Sequence, residues 1–221
     1  NIDVTKSLSQ IEDGVGRVLD SPLNGLTMLM GGDHTITLGS LRAFAKHHPE
    51  LFLVHLDAHA DTWSDHFGEP IGHGTFIRNA IEEGLLRPEN VFSMGLRSPI
   101  DPATRDWLME RGGTAMSSRT IMRRTPTEMA HEICKRVRGR PVYLTIDIDV
   151  LDPAFAPGTG TPECGGLTTA YVLEMIEHLY RLDIVGADVV EVSPPFDHSQ
   201  ITALAAATIL WTIATVKGLN L

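Results

Sequence analysis

Short apolar runs alternate with longer amphipathic stretches along most of the chain. Runs rich in Val, Ile, Leu and Met at 26–30, 51–56, 91–95, 142–148 and 184–190 are too short for helices and read as strands. Helical spacing covers 36–48, 75–83, 127–138, 168–181 and 201–217, with Thr127 placed to cap one helix and Gly139 to stop it. Residues 114–122 fit neither period and stay unassigned. Alternation of this kind predicts an α/β fold, a mainly parallel sheet flanked by helices on both faces. No repeat, low-complexity tract or linker interrupts it, so 1–221 reads as a single domain.

Polar clusters follow four of the expected strands. They are Gly31-Gly32-Asp33-His34, Asp57-Ala58-His59-Ala60-Asp61, Asp147-Ile148-Asp149 and Glu191-Val192-Ser193-Pro194. Ligands of open α/β sheets bind at the carboxyl ends of the strands, so these clusters become neighbours in space.

Composition narrows the function. With 18 Lys and Arg against 28 Asp and Glu, the formal charge is −10. Nucleic acid and anionic membranes need a basic face, and neither is an expected partner. No apolar run approaches the ~20 residues of a bilayer span, and Asn1-Ile2-Asp3 does not open a signal peptide. Cys134 and Cys164 cannot build a disulfide scaffold and read as buried hydrophobes. The expectation is a soluble, cytoplasmic domain.

In an extended segment, side chains at i, i+2 and i+4 share a side, which groups Asp57, His59 and Asp61, and likewise Asp147 with Asp149. Four carboxylates crowded at a buried sheet end cannot all stay ionised alone. Two divalent cations would balance them, and His34, delivered after two glycines that allow a tight turn, adds a second imidazole. Four Asp and two His without a thiolate favour Mn²⁺, with Co²⁺ and Ni²⁺ open. Water shared by two such ions is acidified, so the expected reaction is hydrolysis. Gly158-Thr159-Gly160-Thr161 lacks the Lys-Ser/Thr of a phosphate loop, is bounded by prolines, and reads as a rigid turn. His47, His48, His131 and His178 read as surface residues and His55 as a core or supporting group, while His66 and His198 stay unassigned.

Gly31–His34, Asp57–Asp61 and the run from Asp147 through Pro153 to Thr168 resemble the three signatures of the ureohydrolases, the arginase and agmatinase family. Residues 141–145 and 201–208 are similar to the agmatinase branch in particular. The resemblance implies an arginase-like fold that normally carries a longer N-terminal part, so this chain is expected to be N-terminally incomplete. It implies one Mn²⁺ held by His34, Asp57, Asp61 and Asp147, and a second by Asp57, His59, Asp147 and Asp149, with Asp57 and Asp147 bridging. It further implies that His73 handles the proton of the leaving amine and that Glu191 receives the guanidinium, whose planar fork of N–H groups suits a carboxylate. The products would be urea and an amine, and the assembly a homotrimer or homohexamer. Around Trp211 the chain departs from the acidic ending usual in the family.

Loop 62–72 carries Trp63, Asp65, Phe67 and Glu69, groups that suit a cationic substrate tail and favour an agmatine-like compound. The alternatives are a guanidino acid such as 4-guanidinobutyrate, a formimino or other amidino substrate, and a non-catalytic metal-binding member of the family.

Overall fold

The computed structural model describes residues 3–22 and 25–219. Its centre is a six-stranded parallel sheet in the order β1-β6-β5-β2-β3-β4. The strands are β1 (Thr27–Met30), β2 (Phe52–Leu56), β3 (Val91–Leu96), β4 (Thr114–Ser117), β5 (Val142–Asp147) and β6 (Ile184–Val190). Alternate side chains feed two cores. Val54, Leu56, Leu144 and Ile146 meet α6 (Pro126–Val137), α7 (Thr169–Glu177) and α8 (Ile201–Gly218) on one face. Leu53 and Tyr143 meet α1 (Val4–Leu19), α2 (Ile36–His47) and α3 (Phe76–Glu82) on the other. Burial on both faces explains why the central strands read as unbroken apolar runs.

Several local expectations change. The sequence reading omitted α1, although Val4, Leu8, Ile11, Val15 and Leu19 form a helical stripe, started by Asp3 accepting from the Lys6 amide at 3.0 Å. Residues 114–122 divide into the edge strand β4 and the short helix α5 (Ser118–Ile121), which follows α4 (Pro102–Asp106) in the chain. Thr125, not Thr127, caps α6: it exchanges hydrogen bonds with Glu128, and Pro126 takes the first helical position, where no N–H is needed. Cys164 is exposed rather than buried, while Cys134 is half-buried.

The last helix also corrects the reading of apolar runs. Ile201–Gly218 is long and apolar enough to cross a membrane by length and composition, with mean hydropathy 1.5. Ala205, Ala206, Ile209, Ile213 and Val216 nevertheless pack into the sheet's core, as the inner face of a core helix does. Its outer face leaves Leu204 and Trp211 exposed.

Candidate metal centre

Neighbouring strands β1, β6, β5 and β2 bring their following segments together. The extended-segment argument needs correction, because neither carboxylate run is a strand. β2 ends at Leu56, and Asp61 takes a left-handed φ of 52°. β5 ends at Asp147, and 148–150 form a 3₁₀ turn in which the Asp149 amide donates to Asp147 Oδ1 at 2.9 Å. Turns, not strand alternation, converge these side chains. Gly31 is not held in a left-handed turn; a Cβ there would lie 2.3 Å from Ile36 Cδ1 and 3.0 Å from Val190 Cγ1, so it sits where those two side chains approach the backbone.

His34 is 1% exposed. Its Nδ1 lies 3.3 Å from Asp57 Oδ2, 3.2 Å from Asp61 Oδ2 and 3.4 Å from Asp147 Oδ2, and makes no hydrogen bond. Its Nε2 is 2.8 Å from Thr145 Oγ1, which itself donates to Asp188 Oδ1 at 2.5 Å. A hydroxyl has one proton to give, so Thr145 accepts from His34, and the Nε2–H tautomer follows. Nδ1 is then the nitrogen that faces three carboxylate oxygens, where it can exchange a proton for a cation. Such an arrangement fits a cation between them.

A second group adjoins the first. His59 Nδ1 lies 3.2 Å from Asp57 Oδ1 and 3.0 Å from Asp149 Oδ2. Asp57 thus turns one oxygen toward each group. His55 joins the first group by proximity, yet both of its nitrogens are engaged, with Ser93 at 3.0 Å and Asp57 Oδ2 at 2.9 Å. It therefore supports Asp57, in line with its reading as a core or supporting residue. The clustered His and Asp residues suit a dinuclear metal site.

Electrostatics tell the same story. Burial opposes ionisation of all four aspartates. Asp57 is nevertheless held well below the usual carboxylate range by His34, His55 and His59. Burial and neighbouring carboxylates push Asp61, Asp147 and Asp149 up. Burial alone would lower the two imidazoles. The carboxylates instead raise His34 well above its ordinary value and push His59 up to about 11. Without metal, protons occupy the positions that cations would fill.

Glu191 follows β6 with a left-handed φ of 63°, and its Oε1 accepts from the His34 amide at 2.5 Å. Burial pushes its carboxyl up, partly offset by that amide. A non-glycine residue in this region costs of order 1 kcal/mol, and both Asp61 and Glu191 carry that strain at the site. His73 does not join the carboxylate groups. It lines a cavity of about 450 Å³ with His59, Asp61, Trp63, Asp65 and Phe67. Glu69 lies outside that lining, and Asp65 is tied into its own loop by accepting from the Gly68 amide at 2.8 Å.

Three contributors escaped the sequence reading. Asp188, the lone acid inside apolar β6, accepts from Thr37, Tyr143 and Thr145. Arg97 donates to the carbonyls of Asp149, Val150 and Leu151, clamping the turn after β5. Thr161 reaches the cavity from a segment that is indeed pinned, with the Gly158 amide donating to Thr202 Oγ1 at 2.7 Å.

Comparison with known proteins agrees with this architecture. The arginase family model matches residues 1–215, and the chain belongs to that family. It is 44% identical over 207 residues to a guanidinobutyrase of Pseudomonas aeruginosa, a match covering 93% of this chain and 64% of the relative. It is 47% identical over 182 residues to an agmatinase of Proteus mirabilis, covering 82% and 56%. The chain thus spans less than two thirds of the length of these relatives. The proclavaminate amidino hydrolase of Streptomyces clavuligerus superposes with a TM-score of 0.93 at 35% identity, over 99% of this chain and 72% of that one.

Proposed function

We propose that the protein is a manganese-dependent hydrolase that cleaves a guanidino group to urea and an amine, with an agmatine-like compound as the favoured substrate. The observation that carries this reading is the unpaired His34 Nδ1 facing three carboxylate oxygens, beside a second group that shares Asp57. His34, Asp57, Asp61 and Asp147 would hold one ion, and Asp57, His59, Asp147 and Asp149 the other. When bound, the ions supply Lewis acidity and a water activated for attack at neutral pH.

The remaining work falls to the chain. Glu191 has committed Oε1 to the His34 amide, which leaves Oε2 to accept the guanidinium N–H groups and orient the carbon for attack. His73, on the cavity wall, delivers the proton that lets the amine leave. Trp63 and Phe67 offer faces to the alkyl tail, and Asp65 a charge opposite a terminal ammonium. Assembly into a homotrimer or homohexamer belongs to the same reading and rests on the family alone, while a cytoplasmic location rests on composition and cysteine usage. Sedimentation of the full-length protein as a monomer at about micromolar concentration would overturn the first.

A guanidino acid is the second reading, favoured by the guanidinobutyrase relative and by the engagement of Asp65 within its own loop. The deciding experiment reloads metal-free full-length protein with Mn²⁺, Co²⁺ or Ni²⁺ and offers agmatine, 4-guanidinobutyrate, arginine and a formimino compound. The expected result is urea, with the highest kcat/KM for agmatine. Preference for 4-guanidinobutyrate moves the substrate to the second reading. Formamide or ammonia in place of urea replaces the reaction, and two bound metals without turnover make the protein a binding member of the family.

A further inference from the structure

A general acid must be held at the angle from which it transfers its proton, and a hydrogen-bonded partner usually holds it. Among the described residues, no hydrogen bond reaches the His73 ring. Space lies on two sides of it. Its side chain lines the cavity that contains His59 and Asp61, and also an adjoining cavity of about 360 Å³ lined by Leu8, Ile36, Ile71 and Asp33. A ring with room on both sides and no hydrogen bond needs some other restraint.

That restraint is a second imidazole. The His66 ring stands edge-on to His73, with centroids 4.5 Å apart and planes at 64°. His66 lines the same two cavities, so the pair forms the wall between them. Its own position is fixed by a tight turn. The His66 amide donates to the Glu69 carbonyl at 2.6 Å and the Glu69 amide to the His66 carbonyl at 3.1 Å. Phe67 and Gly68 make the reversal with φ of 53° and 91°. The Phe67 ring also packs edge-on against His66, at 4.7 Å.

Gly72 completes the contact. A Cβ there would lie 2.6 Å from His66 Cβ and 2.8 Å from its Cγ, so only glycine lets the turn close onto the backbone before His73. We propose that His66 is the positioning residue for His73, keeping its ring out of the adjoining cavity and aimed at the metal side. This inference rests on the proposed role of His73 in proton transfer.

The test uses the metal-loaded full-length protein. His73→Ala sets the scale, with an expected loss of ~10²–10⁴ in kcat. His66→Ala should lower kcat about tenfold with KM and metal content unchanged, because an edge-to-face ring pair biases orientation by about that factor. His66→Phe, which keeps a ring but no titrating nitrogen, should recover most of it. Gly72→Ala should match His66→Ala, and the double variant should lose no more than either single one. Wild-type kcat in His66→Ala, or loss of metal in it, overturns the inference. A harmless His73→Ala instead overturns the role of His73. Independently of turnover, nuclear Overhauser contacts from the His73 ring protons to Ile36 and Ile71, which line the adjoining cavity, should strengthen over wild type in His66→Ala and not in His66→Phe. Unchanged contacts in His66→Ala likewise overturn the proposal.

Discussion

Thr145 stands between His34 and Asp188, accepting from the first at 2.8 Å and donating to the second at 2.5 Å. One hydroxyl thus decides which imidazole nitrogen faces the carboxylates. Thr145→Val keeps the shape and removes both bonds. Metal affinity should fall ~10–100-fold, the usual consequence of losing a partner behind a ligand. Titration of metal-free protein with Mn²⁺ checks this, and an unchanged affinity contradicts the tautomer argument.

Metal and proton compete for the same nitrogens. His34 is raised well above its ordinary value and His59 to about 11 in the metal-free state, so both carry protons at neutral pH. Binding must displace them. Affinity should therefore rise with pH, with about two protons released per fully loaded chain from these imidazoles. Calorimetry in two buffers of different ionisation enthalpy counts them, and zero release refutes the assignment.

Asp57 faces both groups, while Asp149 faces His59 alone. Asp57→Asn should empty both positions, whereas Asp149→Asn should remove chiefly one ion, leaving about one per chain by elemental analysis. About two ions bound to Asp57→Asn would rule out its bridging role.

Glu191→Gln keeps an oxygen for the His34 amide and loses the charge offered to substrate. Both metals should stay, and kcat/KM for a guanidino compound should fall about 10²-fold, in line with the loss of a charge-assisted contact at Oε2. Loss of metal in this variant would place Glu191 in the centre instead.

Arg97 spreads one half-buried guanidinium over the carbonyls of Asp149, Val150, Leu151 and Glu163. Arg97→Met should leave these acceptors without donors and destabilise the fold by about 2–4 kcal/mol. Denaturant unfolding of the metal-free protein measures this without interference from the ions. An unchanged midpoint would mean that water replaces the clamp.

The alternation of strands and helices is legible because the strands are buried on both faces and their helices carry one-sided patterns. Asp57, His59, Asp61, Asp147 and Asp149 stand out for the opposite reason, as acids and imidazoles directly after such runs. Which nitrogen of His34 is free is not legible, because it depends on Thr145 and Asp188, residues that strand spacing hides within β5 and β6. The role of Arg97 is hidden likewise, since it acts on backbone carbonyls that leave no side-chain signal. α1 was legible in principle from its stripe at Val4, Leu8, Ile11 and Val15. The cap at Thr125 was legible too, from Glu128 three residues on and from Pro126 at the first helical position.

The order of the sheet also sets the order in which a nascent chain can assemble. β1 precedes the other described strands in the chain, yet among the described residues it pairs only with β6, which follows all of them. The His34 amide waits across 157 residues for Glu191, and the Thr145 hydroxyl waits for Asp188. β2, β3, β4 and β5 can pair as they emerge, but the edge that carries His34 closes only at the end, when the long-range loop entropy is finally offset. A chain stalled before β6 would hold most of its acidic groups and Thr145, but neither the Asp188 that fixes the Thr145 hydroxyl nor the Glu191 that holds the His34 amide. The placing of His34 among the aspartates is thereby tied to the pairing of β1 with β6.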